Sequence, residues 1–259
     1  MAAADDEAPV GAGEAERLAA HLSLWLADEV RARNVQGAVV ALSGGIDSAV
    51  VAALAVRALG RERVTTLVLP IHSAPEDRED ALLVAQALRV EVRDIDLSDV
   101  ADALLAALGP AVAAHRLAAA NIRPRLRMVA LYAEAAVRGA LVVGTGNRDE
   151  LTVGYFTKYG DGGVDLLPLG NCTKAEVRAL ARVLGTPQRI LDRAPSAGLW
   201  AGQTDEAELG FTYAALDRLL TTGEGTPELK DRVDAMARRA RHKLELPPIA
   251  PPLARVRPD

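Results

Sequence analysis

The sequence predicts an α/β protein: a doubly wound, Rossmann-like parallel sheet with flanking helices and a helical C-terminal extension. Short apolar runs of strand length, at 38–42, 64–69, 90–96 and 141–144, alternate with longer helical patterns. The first run breaks at Ser43-Gly44-Gly45 and resumes at once as an alanine-rich helix, the strand–turn–helix unit of a nucleotide site in an open sheet. The last third of the chain reads as helices, interrupted by one aperiodic segment and closed by a Pro-rich tail.

The elements follow in order. Residues 1–13 read as a disordered tail, and 14–259 as a single domain. Glu14 to Arg33 places Leu18, Leu22, Trp25 and Leu26 on one helical face. Ala38–Leu42 is the first strand, followed by a helix to Leu59; Val64–Leu69 is the second strand, ending at Pro70. Pro75 to Leu88 is helical, Val90–Asp96 is the third strand, and Ser98 caps a helix stopped by Gly109-Pro110. Ile122 to Val137 presents Leu126, Val129, Ala133 and Val137 on one face, and Leu141–Gly144 is the fourth strand. Thr173-Lys-Ala-Glu176 is a capping box opening a helix that ends at Gly185. Ala194 to Thr204 lacks periodicity and reads as a lid over a bound nucleotide. Asp205–Leu220 packs through Leu209, Tyr213, Leu216 and Leu220, and Thr226–Leu244 through Leu229, Val233, Met236 and Ala240.

Composition narrows the function. With 259 residues, half of them hydrophobic, the chain can bury one sizeable core. A net charge of −5 disfavours a general nucleic-acid partner. One cysteine excludes a disulfide framework and a cysteine-ligated zinc. Ala2 to Gly13 has neither a basic n-region nor an apolar h-region, and no run reaches 18 apolar residues, so the expectation is a cytoplasmic enzyme with no membrane span.

The first turn narrows the chemistry. It matches neither G-x-x-x-x-G-K-[ST] nor G-x-G-x-x-G. A carboxylate, Asp47, stands where phosphate would bind, which is repulsive unless a divalent cation lies between them, so the loop reads as a Mg·ATP site. Ligands of such sheets bind at the carboxyl ends of strands, which brings Ser43, Pro70–Ser73 and Thr145–Glu150 to one crevice. Tyr155-Phe-Thr-Lys-Tyr-Gly-Asp-Gly-Gly163 concentrates aromatics that are only 3% of the chain, and reads as a second part of the site. Lys174 falls in a first helical turn, where a cation opposes the dipole by up to about 1 kcal/mol unless an anion sits nearby. It therefore points to phosphate, against a solvated lysine as the alternative. Cys172 reads as a packed residue, with no histidine beside it to activate a thiol.

S-G-G-x-D-S resembles the pyrophosphate loop of ATP pyrophosphatases, the adenine nucleotide alpha hydrolase-like enzymes that split ATP between its α and β phosphates. With SGGIDSAV, NIRPRLRM, LVVGTGNRDEL, GYFTKYGDGGVDLLPLGNCTK, PSAGLWAGQTDEAELG and HKLELPP in this order, the chain from about Leu18 to Pro248 is similar to ammonia-dependent NAD synthetases. That resemblance implies amidation of deamido-NAD by ammonia through an adenylated carboxylate, with ATP as co-substrate and Mg²⁺. It implies ATP binding by Ser43, Gly44, Gly45, Asp47, Ser48, Leu69, Ile71, Thr145, Lys174 and Ser196. Metal ligands would be Asp47, Glu150 and Ser196; Asn121, Arg125, Glu150, Lys158, Asp161, His242 and Lys243 would hold deamido-NAD. Asp47, Asp161 and Lys174 would carry the chemistry, with Asp161 attracting ammonium and taking its proton. The implied assembly is a homodimer, with His242 and Lys243 reaching the dinucleotide phosphates across the interface. The chain departs from some members at Leu117, where an aromatic residue stacks on the nicotinate ring. GMP synthetase and tRNA-modifying ligases share the loop, but they call for paired cysteines, a basic face or another dimerisation domain. A non-catalytic nucleotide-binding module would not need Glu150, Asp161 and Lys174 as well.

Overall fold

The computed structural model describes residues 10–193 and 205–250. The tail expected at the N-terminus lies mostly outside them, as does the expected lid at 194–204 with Ser196. The first helix, α1 (Ala12–Ala32), starts ahead of the expected Glu14 and buries Leu22 and Leu26, with Leu18 and Trp25 packed against them. Strand β1 (Gly37–Ala41), helix α2 (Ile46–Leu59), strand β2 (Val64–Val68), helix α3 (Pro75–Leu88) and strand β3 (Glu91–Asp94) follow as the periodicity predicts. Then come α4 (Ser98–Leu108), the short α5 (Pro110–Ala114) and α6 (Arg116–Ala120), the long α7 (Ile122–Arg138), and β4 (Ala140–Val143). The four strands are parallel in the order β3-β2-β1-β4. The order reverses between β1 and β4, and such a switch point opens a crevice at the strand ends.

Side chains of β1 alternate between two cores. Ala38 and Val40 join a cluster with Leu26, Leu54, Val177 and Leu180, while Val39 faces the other way with Leu67, Leu131, Ala135 and Val142. The second half adds α8 (Arg148–Val153), α9 (Lys174–Val183), α10 (Gln188–Leu191), α11 (Asp205–Leu209), α12 (Tyr213–Thr222) and α13 (Pro227–Leu244). A third cluster of Val153, Leu209, Tyr213, Leu216 and Val233 ties this helical extension to α8. Among the described residues no helix is long and apolar enough to cross a membrane.

Three local expectations are corrected. Leu97, not Ser98, holds the cap position of α4; the Ser98 hydroxyl instead accepts from the His72 N–H at 3.0 Å, and the Asp96 carboxylate accepts from the Ser98 N–H. On α7 the buried residues are Ile122, Pro124, Leu131, Glu134 and Ala135, whereas Val129 and Val137 are 58% and 85% exposed. The opposite face carries Leu131 and Ala135 into the core with Val39, Leu67 and Val142, and Glu134 beside them pairs with Arg138 at 2.5 Å and with Arg93, so the Val129–Val137 stripe points outward. Finally, Asp205–Leu220 is two helices. Gly210 at φ +75 breaks it, and Thr212 caps α12 by accepting from the Ala215 N–H. The expected packing by Leu209, Tyr213 and Leu216 survives the break.

Candidate active site

The turn after β1 is built from small residues for steric reasons. A Cβ on Gly44, whose φ is +82, would stand 2.5 Å from the Asp77 carbonyl oxygen, so only glycine fits. The Ser48 hydroxyl donates to the Gly45 carbonyl at 2.9 Å and accepts from the Ser43 N–H at 3.2 Å. This fixes the loop and leaves the start of α2 open at one end of a crevice of about 790 Å³. Asp47 sits in that first turn.

Two further helices start at the same point. Asn147 caps α8: its side-chain oxygen accepts from the Glu150 N–H at 3.0 Å, and the Glu150 carboxylate accepts from the Asn147 N–H in return. The amide of the fully buried Asn147 then donates to Asp47 Oδ1 at 2.9 Å. Thr173 caps α9 in the same reciprocal way, placing Lys174 first in that helix. Lys174 is only 2% exposed, which rules out a solvated lysine. Its Nζ donates to Asp47 Oδ2 at 2.6 Å and lies 4.0 Å from Glu150 Oε1 and 5.1 Å from the centre of the Tyr213 ring. Burial pulls the ammonium pKa down, and Asp47 and Glu150 more than offset this, holding it above the ordinary lysine value. The Glu150 carboxyl is pushed up by burial and by Asp47. The anion that α9 requires beside a cation is supplied in part by the protein itself. Asp149 Oδ2 accepts from the Lys174 N–H at 2.6 Å, and Asp217 Oδ2 from the Ala175 N–H at 2.8 Å.

The opposite wall is the 155–163 loop. Asp161 Oδ1 accepts from the Thr157 N–H at 3.0 Å, the Thr157 hydroxyl donates to Asn121 Oδ1 at 3.0 Å, and Arg125 Nε donates to the Lys158 carbonyl at 3.3 Å. Asp161 is exposed to the crevice, and partial desolvation there raises its carboxyl pKa against the lowering by the Thr157 N–H. Helix α13 closes this wall. Lys243 Nζ donates to the Gly154 and Phe156 carbonyls, each at 2.7 Å, and Lys158 Nζ donates to the His242 carbonyl. Both His242 and Lys243 thus line the crevice of their own chain.

The crevice therefore gathers Ser43, Gly45, Asp47, Ser48, Leu69, Asn121, Arg125, Glu150, Lys158, Asp161, Lys174, His242 and Lys243. It does not bring in all the expected residues. Ile71 is fully buried behind the wall, Gly44 backs onto α3, and Thr145 is not on the surface of the cavity. Leu117 lines the mouth and is 58% exposed. Cys172 is buried, with its thiol pushed up to about 12, as a packed and unreactive residue should be. Sequence reasoning missed Asn147, Asp149, Asp217 and Arg127. For Asn147 the signal was present, since N-x-x-E before an apolar run is a capping pattern. Asp217 becomes visible only once α12 is laid against α9.

Among the described residues no group of three or more His, Cys, Asp or Glu side chains is placed to hold a metal alone. Two carboxylates, Asp47 and Glu150, converge instead.

A family model described as NAD synthase matches residues 18–247. The NH(3)-dependent NAD(+) synthetase of Carboxydothermus hydrogenoformans is 51% identical over 227 residues, covering 87% of this chain and 93% of that one. Among solved structures, the NMN synthetase of Francisella tularensis superposes with a TM-score of 0.86 at 38% identity, covering 91% of this chain and 98% of that one. The NH3-dependent NAD synthetase of Campylobacter jejuni, in complex with nitrate, gives 0.77 at 29% identity, over 92% and 99%. A match of this extent, on a chain whose strand-end loops meet at Asp47, Glu150 and Lys174, places the protein in the NAD synthase family.

Proposed function

We propose that this enzyme is a ligase that amidates deamido-NAD with ammonia, consuming ATP and releasing AMP and pyrophosphate. The observation that carries this reading is the meeting of Asp47, Glu150 and Lys174 at the open end of the Ser43–Ser48 loop, opposite a separate wall carrying Asp161. A carboxylate cannot expel oxide, so its oxygen first attacks the α-phosphorus of ATP. A new P–O bond forms, the bond to the β-phosphate breaks, and the electron pair leaves on pyrophosphate. The Ser43–Ser48 loop and the start of α2 receive the departing diphosphate, and Lys174 offsets its charge. Ammonia then adds to the acyl carbon and AMP leaves. Asp161, at the crevice, attracts ammonium and accepts its proton.

The donor set fits Mg²⁺. Asp47 and Glu150 offer oxygen only, and Mg²⁺ is typically held by one or two carboxylates with substrate phosphates and water. The strain between these two carboxylates, visible in the raised Glu150, is what a divalent ion would relieve. Bound there with Ser196, the ion would supply charge neutralisation for the leaving pyrophosphate.

A homodimer is supported by the outward stripe of α7, Val129, Ala133 and Val137, beside the exposed Val100, Leu104 and Leu108 of α4. The test is product analysis with deamido-NAD, Mg·ATP and either ammonium or glutamine. Formation of NAD from ammonium alone is expected. Because one relative is an NMN synthetase, nicotinate mononucleotide is the comparison substrate; a higher kcat/KM for it would overturn the dinucleotide assignment.

A further inference from the structure

Helix α7 opens with three arginines, Arg123, Arg125 and Arg127, and the last of them is set apart. Its Nε donates to the Leu69 carbonyl at 2.9 Å, and one terminal nitrogen lies 3.5 Å from the Ser73 hydroxyl. Among the described residues it has no ion pair, whereas Arg93, Arg138, Arg189 and Arg193 each hold a carboxylate. Burial pushes its pKa down, Arg123 adds to this, and Asp161 and Asp77 only partly compensate. A half-buried guanidinium with only neutral partners is costly unless an anion arrives to meet it. Arg127 lines the crevice, so an anion has access.

Its location selects the anion. Arg127 stands in the crevice between Leu69, just past the end of β2, and Asp161, whose charge it feels; on the adenylation reading these two sides take the nucleoside and the acyl group. The only phosphate bonded to both nucleoside and acyl group during adenylation is the α-phosphate. We propose that Arg127 is a catalytic residue that binds the α-phosphate of ATP and stays with it in the acyl adenylate. This rests on the adenylation reading above. Lys174 is already neutralised by Asp47, so it cannot alone offset the approach of a second anion, the substrate carboxylate. Anchoring of Nε to Leu69 orients the fork, leaving terminal N–H groups for the two non-bridging α-oxygens while the P–O bond to the carboxylate forms and the bond to pyrophosphate breaks.

The experiment compares Arg127→Met and Arg127→Lys with the parent enzyme. Its readouts are ligand-free thermal stability, ATP affinity, turnover, and the preference between the two diastereomers of ATPαS. Arg127→Met should melt no lower than the parent, because an unpaired charge has been removed. Its kcat should fall on the order of 10²–10³-fold, ATP affinity should weaken by less than tenfold, and the diastereomer preference should be lost. Arg127→Lys, with the charge but not the fork, should recover part of kcat and none of the preference. A slowed Arg127→Met enzyme with its diastereomer preference intact, or a lowered melting temperature shared by both variants, would make Arg127 a structural support of β2 and overturn the proposal. Release of ADP by the parent would defeat the adenylation reading itself; release of AMP by the parent with Arg127→Met at full activity would defeat only this assignment.

Discussion

Replacing Lys174 by Met tests the electrostatic heart of the site. The methionine keeps most of the buried stem and removes the charge. Lys174 Nζ stands 2.6 Å from Asp47 and 4.0 Å from Glu150, whose side chains are 18% and 19% exposed. At an effective dielectric of about 20, the attraction to Asp47 amounts to roughly 6 kcal/mol before desolvation is subtracted, and Glu150, whose carboxyl is pushed up, adds less. Removing one partner of a buried pair costs about 3–5 kcal/mol, because the remaining charge is left uncompensated. Asp47 opens partly to the crevice and keeps the Asn147 amide, so the lower end, about 3 kcal/mol, applies. In a chain of this size that is a fall in Tm of roughly 6–12 °C. The double variant Lys174→Met/Asp47→Asn should regain most of the lost stability, since the orphaned charge is gone, and none of the activity. Calorimetric melting of the four proteins of the cycle, with turnover measured alongside, is the assay. A Lys174→Met variant as stable as the parent, or a double variant no better than the single one, would refute the claim that this pair balances the site.

Other outcomes follow from the same geometry. Gly154, at φ +69, has no room for a methyl, since an added Cβ would lie 1.9 Å from Ala240 Cβ; Gly154→Ala should lose about 2–5 kcal/mol in denaturant unfolding by combining left-handed strain with overpacking between α8 and α13. Asn147→Ser retains a good helix cap but not the amide that reaches Asp47, so Mg²⁺ titrated in the presence of a non-hydrolysable ATP analogue should bind about 10–100-fold more weakly with Tm little changed. Asp149 is held above the ordinary aspartate pKa by burial and then by the nearby Asp217. An acid raised in the folded state favours folding at low pH, and that contribution is lost as pH rises from the unfolded aspartate value through the folded one. Asp149→Asn should therefore flatten the decline in stability towards alkaline pH, as read from Tm measured across that range.

Much of this was legible because local chemistry determined it. The β1–Ser43–α2 unit, the capping box at Thr173 and the Thr226 start of α13 each carry their signal within four residues, and each formed where expected. The Val129–Val137 stripe misled because apolar periodicity marks a face to be covered without saying by what. The buried side of α7 is the one that carries Leu131 and Ala135 onto Val39, Leu67 and Val142 of the sheet, which are distant in sequence. The break at Gly210 was hidden because the residues on both sides keep helical spacing. At the site, residue types announced Asp47, Lys174 and the 155–163 loop. Asn147 was legible as a helix cap but not as a partner of Asp47 on α2, and Asp149 and Asp217 required the tertiary meeting of α8, α9 and α12, which no window of sequence contains.

The central claim is that the substrate carboxylate becomes bonded to the α-phosphorus of ATP. Deamido-NAD labelled with ¹⁸O in its carboxylate tests this directly, with the phosphorus products resolved by ³¹P NMR after turnover with ammonium. The expected result is AMP carrying one ¹⁸O per NAD formed, with unlabelled pyrophosphate. Label in inorganic phosphate accompanied by ADP, or AMP without label, would contradict it.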